Sequence, residues 1–393
     1  MLIGFKTELK LNNQQRTQCA KHSGVARHAY NIGLAACKYI LNHNRENLEP
    51  HLKFPSAIEL HKWLVESIKP DYPWYYEVSK CAPQQALRNL LRAFSDFFNK
   101  KKIRGKPVGF PHFKKKGKQD SFYLDGSIIC DNFAIKLPRI GWVRTYEKLP
   151  HGYKPKNVVV SRSAAKWFIS FKIETEPINP EKKRDVIGVD LGVKYLATCS
   201  DGTVFEGVKA SKKLEAKLSR MQYLLGKKVR GSQNWKKAQK KIARLHARIA
   251  NIRKDNLHKV TCYLAKNHGQ IVIEDLNVSG MLANHKLAKA IQDMGFYEFR
   301  RQLEYKTKLY GSEVMTVARF YPSSKTCSNC HSVKENLTLS ERVFVCDHCG
   351  LEIDRDLNAS INLEMAGSSP VSACGLSKGR PSQVEAGTNQ GIV

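Results

Sequence analysis

Four cysteines restrict this chain more than any other feature. Cys327 and Cys330 stand two residues apart, as do Cys346 and Cys349, and fifteen residues separate the pairs. Two knuckles at that spacing supply four thiolates to one tetrahedral Zn²⁺. A shell closed by four thiolates leaves no open position, so the expected zinc is structural and folds a ribbon over 321–350. His331 and His348 adjoin the knuckles but lie off the spacing, which makes them second choices. The chain has 11 cysteines in all, an odd number. Its first residues, MLIGFKTELKLNN, alternate like a strand and lack the apolar core of a signal peptide. Both features point to the reducing cytoplasm, where close cysteine pairs bind metal rather than form disulfides. Cys19, Cys37, Cys81, Cys130, Cys199, Cys262 and Cys374 are scattered, and buried thiol is the default for each.

The charge narrows the partners. The 393 residues hold 66 Lys and Arg against 35 Asp and Glu, a net charge of +31. With 42% hydrophobic residues there is enough apolar material for real cores, so this is not a disordered polycation. Such a surplus repels itself unless a polyanion neutralises it, and nucleic acid is the first candidate. An anionic membrane surface is the rival, but no run of 18 apolar residues is present to span a bilayer.

The length fits two or three domains. Residues 3–11 alternate as a strand. Helical periodicity follows from Asn13 to about Leu41, over Pro55–Ile68, and from Pro83 along the face Leu87, Leu90, Leu91, Phe94 and Phe98. Residues 13–99 thus read as a helical module inserted after the first strand. The stretch Asn99–Lys118 is basic and rich in Gly and Pro, with Phe110 and Phe113 interleaved. It reads either as a solvated linker or as a loop on a phosphate backbone, where Lys114, Lys115 and Lys116 are the contacts. From Ser121 to Glu176 short alternating segments predict strands, enough with the first to make a small barrel or sandwich. A linker at Glu176–Asp185 precedes two strand-like runs. A long antiparallel helix pair then spans Ser211–Asn267, with its seam at Leu218, Met221, Leu224, Ile242, Leu245, Ile249 and Ile252 and its turn near Gly231–Asn234. The outer face of that pair is dense in Lys and Arg, equally compatible with solvent and with nucleic acid. Residues from Gly367 onward lack periodicity and are expected to be disordered.

Three acids carry the expected chemistry. The apolar strand Val186–Val189 runs into Asp190, and the apolar strand Gln270–Ile273 runs into Glu274. An acid at the end of a buried strand is costly unless paired or bound to a cation. Asp190 alone is equally readable as a turn cap or a salt-bridge partner. Asp275 competes with Glu274 but alternates to the opposite face. The third acid lies in LEIDRDLNASINLEM, where Asp356 precedes a helix and Asp354 fits its N-cap. Carboxylates at parallel strand ends and a helix start are what two Mg²⁺ ions need for phosphodiester chemistry.

The ordered motifs IGVDLG (Ile187–Gly192), IVIEDL (Ile271–Leu276), YPSSKTCSNC (Tyr321–Cys330), the second CxxCG knuckle and DRDLNASINL (Asp354–Leu363) resemble those of the transposon-encoded TnpB (OrfB) proteins. These are RNA-guided DNA nucleases related to the type V CRISPR effectors. The VGFPHFKKK loop (Val108–Lys116) and DNLHK (Asp255–Lys259) extend the resemblance over nearly the whole chain. It implies a multidomain α+β protein. A RuvC-like nuclease domain on an RNase H fold would occupy 183–320 and 351–366, with the zinc ribbon 321–350 inserted. A β-barrel wedge domain would occupy 1–12 and 100–182, split by a helical recognition module at 13–99, and 367–393 would be a tail. The resemblance makes Asp190, Glu274 and Asp356 the catalytic acids and places Gln84 and Arg88 on the helix that reads the target-adjacent motif. It implies a monomer holding one guide RNA from the transposon end. That complex would cut double-stranded DNA beside a short motif, leaving a 3′-hydroxyl, in a prokaryotic cytoplasm at the nucleoid. A DNA strand-transferase with the same acids and a non-cleaving zinc-ribbon regulator are the alternatives.

Overall fold

Alternation of apolar and polar side chains along the chain's short segments produces two sheets, each backed by helices. The structure, a computed structural model, describes residues 1–103, 106–338 and 341–368. It divides into two units, Met1–Thr175 and the chain from Glu176 onward.

In the first unit, β1 (Leu2–Lys10) leads into α1 (Asn13–Arg45), α2 (Ala57–Trp63) and α3 (Cys81–Phe98). A two-residue ladder, β2 (Lys102–Ile103) with β3 (Lys106–Pro107), precedes β4 (Ser121–Asp125), β5 (Ile129–Asp131), β6 (Ala134–Leu137), β7 (Gly141–Thr145), β8 (Asn157–Ser163) and β9 (Lys166–Glu174). Seven strands form an antiparallel sheet in the order β4-β8-β9-β1-β7-β6-β5. A capping box starts α1: Asn12 accepts from the Gln15 amide, and the Gln15 side chain returns to the Asn12 amide. The helix expected over Pro55–Ile68 is divided, because the turn Leu64–Ile68 is a π-helix. Leu34, Leu60, Leu87, Leu90 and Phe94 from the helices share one core with Leu124, Ile135, Val160 and Ile169 from the strands.

The second unit opens with β10 (Arg184–Asp190), β11 (Ala197–Cys199) and β12 (Val204–Phe205). It continues through α4 (Ala210–Lys213), α5 (Glu215–Gly226), α6 (Gln233–Asn267), β13 (His268–Glu274), α7 (Val278–Ala283), α8 (Ala288–Met294), α9 (Phe296–Tyr310) and β14 (Glu313–Val317). It ends with β15 (Val343–Val345), β16 (Glu352–Asp354) and α10 (Arg355–Ser368). Five strands make a mixed sheet in the order β12-β11-β10-β13-β14. Strands β10, β13 and β14 run parallel, while β11 and β12 form an antiparallel meander on one edge. One face buries Ile187, Val189, Ile271 and Ile273 against Leu257 and Leu264 of α6, Ile291 of α8, and Phe299 and Leu303 of α9. On the other face Val186, Val272 and Val317 pack on Leu363 and Ala366 of α10.

Two glycines fix how α10 lies. A Cβ on Gly188 would overlap the Ser360 carbonyl oxygen, and one on Gly367 would overlap the Val272 side chain. The helix backbone therefore rests directly on β10. Its C-terminal end lies over the start of the strands, so it runs antiparallel to them, and Arg184 closes that end with a 2.6 Å ion pair to Glu364. Gly367 and Ser368, expected to begin a disordered tail, are the last residues of α10. The rest of that tail, including Cys374, lies outside the described residues.

Candidate active site

The sheet register brings the first two acids side by side. Val189 of β10 pairs with Ile273 of β13, so Asp190 and Glu274 are the next residues along adjacent parallel strands. Each stands two residues beyond a position on the α10 face, Gly188 and Val272, and so points to that same face. The third acid comes from the opposite direction. Asp356 lies one turn before Ser360, the residue seated on Gly188, and the antiparallel run of α10 carries it to the strand ends.

The charges register this convergence. Burial, then Asp356, then Glu274, push the Asp190 carboxyl up from 3.8 to about 7, against the opposing pull of Arg355. Burial and the neighbouring Asp275 also raise the Glu274 carboxyl. Three carboxylates gathered around a single guanidinium, Arg355, keep a net negative charge and are a cation's donor set. Among the described residues, only the four cysteines bring at least three His, Cys, Asp or Glu ligand atoms all within 4.8 Å of one another.

The competing acids have other partners. Burial raises the Asp275 carboxyl, but Arg300 Nη1 (2.8 Å) and Arg319 Nη2 (2.7 Å) outweigh it and hold the group low. Asp354 caps α10: its Oδ1 accepts from the amides of Asp356 (2.9 Å) and Leu357 (3.2 Å). Arg355 donates to the Thr338 carbonyl and has Nη2 3.6 Å from Asp356 Oδ1.

The cysteine cluster has the dimensions of a zinc site. Cys327 Sγ lies 3.6 Å from Cys349 Sγ, and Cys330 Sγ lies 3.5 Å from Cys346 Sγ. Four sulfurs at tetrahedral corners about 2.3 Å from Zn²⁺ sit about 3.8 Å apart, so the donors fit. Both knuckles close on a left-handed residue, His331 at φ +59° and Gly350 at φ +71°. His331 thus serves the turn through its backbone, and neither histidine joins the cluster.

Residues absent from the sequence-based expectation join the two centres. Asn358, fully buried, donates to the Thr326 carbonyl (2.7 Å) and accepts from the Ser328 amide (3.0 Å). Asn362 donates to the Ser323 and Thr326 carbonyls. The first knuckle is therefore tied to the helix that carries Asp356. Two asparagines at i and i+4 in a largely apolar helix were the available signal.

The remaining expected contacts lie in the first unit, away from these acids in sequence. Gln84 is half-buried on α3, and Arg88 is exposed one turn later. The Lys114 backbone is bonded both ways to the Asn31 side chain, and its Nζ sits 4.0 Å over the Tyr30 ring. Lys115 and Lys116 are exposed. Phe113 is half exposed with Lys38 Nζ 5.2 Å over its ring, whereas Phe110 packs edge-on against Phe94 and Phe97 and is committed to the fold.

Three family models match the chain: "Probable transposase" over 169–285, "Cas12f1-like, TNB domain" over 296–363, and "Helix-turn-helix domain" over 1–46. The last span is one strand and one long helix here, with no helix–turn–helix pair. The chain is 39% identical to "Putative RNA-guided DNA endonuclease InsQ" of Escherichia coli (strain K12), over 98% of this chain and 97% of that protein. It belongs to the TnpB (OrfB) family. A "Putative RNA-guided DNA endonuclease" of Streptomyces pristinaespiralis is also 39% identical, over 76% of this chain and 74% of its own. Outside the family, a Cas12f1 chain solved with sgRNA and target DNA is 17% identical, with a TM-score of 0.50 covering 91% of this chain and 83% of that one. That likeness shows a shared fold. No helix among the described residues is long and apolar enough to cross a membrane.

Proposed function

We propose that this chain is the RNA-guided DNA endonuclease of a transposon, with Asp190, Glu274 and Asp356 as its catalytic acids. The observation that carries the reading is the register that sets Asp190 beside Glu274 at the ends of the adjacent strands β10 and β13, with Asp356 close enough on α10 to help raise the Asp190 carboxyl. The strand order β12-β11-β10-β13-β14, with three parallel strands and an antiparallel meander, supports an RNase H-like, RuvC-type nuclease domain. The relatives named as RNA-guided DNA endonucleases support the same activity. The seven-stranded sheet and the helices α1–α3 fit the wedge and recognition roles, with Gln84 and Arg88 facing the target-adjacent motif and Lys114, Lys115 and Lys116 facing phosphate.

Asp190 and Glu274 from the sheet and Asp356 from the helix would hold two Mg²⁺ ions. Bound there, such ions activate a water and stabilise the leaving oxygen of a phosphodiester. The protein's own part is to fix the three carboxylates from rigid elements, to keep Asp275 neutralised by Arg300 and Arg319, and to hold the zinc ribbon against α10. The RNA, from the transposon's own end and one per monomer, reads double-stranded DNA by base pairing, and the basic surfaces hold the backbones.

The test uses the full chain purified with its RNA. Sequencing should return one defined RNA from the edge of the chain's own element, and cleavage of matching DNA should require Mg²⁺. Asp190→Ala should abolish cleavage and keep the RNA. Random cellular RNA, or joining of DNA ends in place of cutting, would overturn the reading.

A further inference from the structure

One side chain just beyond the strand that neighbours Glu274 is almost wholly exposed. Phe320 is 93% exposed, more than any other large hydrophobic side chain among the described residues. Single exposed apolar residues are common on surfaces, but the setting of this one is not that of a free loop. Val317 of β14 pairs with Glu274, so Phe320 follows a catalytic acid's sheet neighbour by three residues. Its backbone is clamped on both sides. Arg319 turns back to Asp275, with Nη2 2.7 Å from Oδ2 and Nε 3.2 Å from the carbonyl. The Tyr321 amide closes a tight turn onto the Ala318 carbonyl at 2.9 Å, and the Tyr321 hydroxyl donates to the Asn362 carbonyl of α10. The ring is therefore presented to solvent by a fastened turn three residues past Val317, the sheet neighbour of Glu274.

We propose that Phe320 is a stacking platform for a nucleobase of the single-stranded DNA entering the acid site, and that it positions the strand being cut. A flat ring accepts any base face, as a nuclease whose sequence choice is made by its RNA requires. Burial of an exposed Phe ring beneath a base also removes apolar area from water, so the same contact favours the bound strand. This role rests on the nuclease reading above.

The experiment uses the full chain with its co-purified RNA. Phe320→Ala should slow single-turnover cleavage about 5- to 150-fold, the range set by one lost base–aromatic stack. RNA retention and guide–target pairing should not change. Phe320→Trp should restore the rate and Phe320→Leu should not, which separates stacking from apolar bulk. In an Asp190→Ala background, 2-aminopurine placed in turn at the nucleotides flanking the cut should be quenched at one position with Phe or Trp, and bright with Leu or Ala. Cleavage by Phe320→Ala at the original rate, restoration by Leu, or fluorescence indifferent to residue 320 would overturn the proposal. If the unaltered chain cuts no DNA, the nuclease reading fails. The fluorescence measurement needs no cleavage and still decides the stacking.

Discussion

Asp190 shows how function sets a local stability cost. Its carboxyl is raised from 3.8 to about 7 by burial and by Asp356 and Glu274, so the folded protein holds a proton that the unfolded chain releases earlier. Stability from this group is fully present below about pH 4 and is lost as pH rises towards 7. The ceiling on that loss is about 4 kcal/mol, and solvent relaxation will reduce it. Asp190→Asn removes the titration while keeping the shape. Metal-free Asp190→Asn should be more stable than the parent by about 1–3 kcal/mol at pH 8 and nearly equal at pH 4.5. Urea denaturation at both pH values measures this, and equal stability at pH 8 would mean the acids are already compensated. The sequence made Asp190 and Glu274 visible because each ends an unbroken apolar run. It hid Gly188, whose lack of a side chain matters only once α10 is known to lie on it. Phe320 was hidden for a similar reason, since exposure has no local sequence signature.

At the scale of elements, periodicity found what packing on one face produces. The first strand, expected at 3–11, runs Leu2–Lys10, and the helix expected to about Leu41 continues to Arg45. The helical pair turned near Gly231–Asn234 as its spacing required, with Leu245, Ile249, Leu218, Met221 and Ile252 in its seam. Leu224 faces the groove between the two helices as expected but is 47% exposed, in the last turn of α5. Strand β14 and the helices α8 and α9 were not expected: β14 is a five-residue edge strand, mostly half-buried and with no clear apolar–polar alternation. The links from Asn358 and Asn362 to the first knuckle were illegible for another reason, since they join segments distant in sequence. They make the zinc ribbon a brace for α10. Removing zinc with a chelator, or replacing Asn358 with Ala, should raise the Mg²⁺ concentration for half-maximal cleavage about tenfold or more and leave RNA binding unchanged. The lost buried hydrogen bonds are worth about 1–3 kcal/mol each, which sets that scale. A Mg²⁺ titration of cleavage reads it, and an unmoved midpoint would leave the ribbon with no hold on Asp356.

Across the whole molecule, the charge is unevenly spread. The forty residues Lys209–Arg248 hold 14 Lys and Arg and a single acid, Glu215, so +13 of the total +31 sits on the α4–α6 segment. None of those 14 cations forms an ion pair among the described residues. Lys217, Lys228, Lys237, Lys241, Arg244 and Arg248 line one groove between α5 and α6, over a floor of Met221, Leu224 and Leu245. A purely solvated helical face ordinarily mixes signs, because alternating charge adds stability along the helix. Repulsion at this density is tolerable when a polyanion is the resident partner. If that partner is the RNA, its affinity must fall steeply with salt, and each phosphate contact contributes about 0.7–0.9 to the slope of log K against log salt concentration. Replacing Lys237, Lys241, Arg244 and Arg248 together with Gln should lower that slope by about 3. These positions are largely exposed and serve no core, so the melting temperature of the RNA-free chain should stay level or rise. Equilibrium binding of the co-purified RNA between about 50 and 300 mM salt supplies the slope. A slope unchanged by the four substitutions would assign the groove to solvent and move the RNA to the basic surfaces of the first unit.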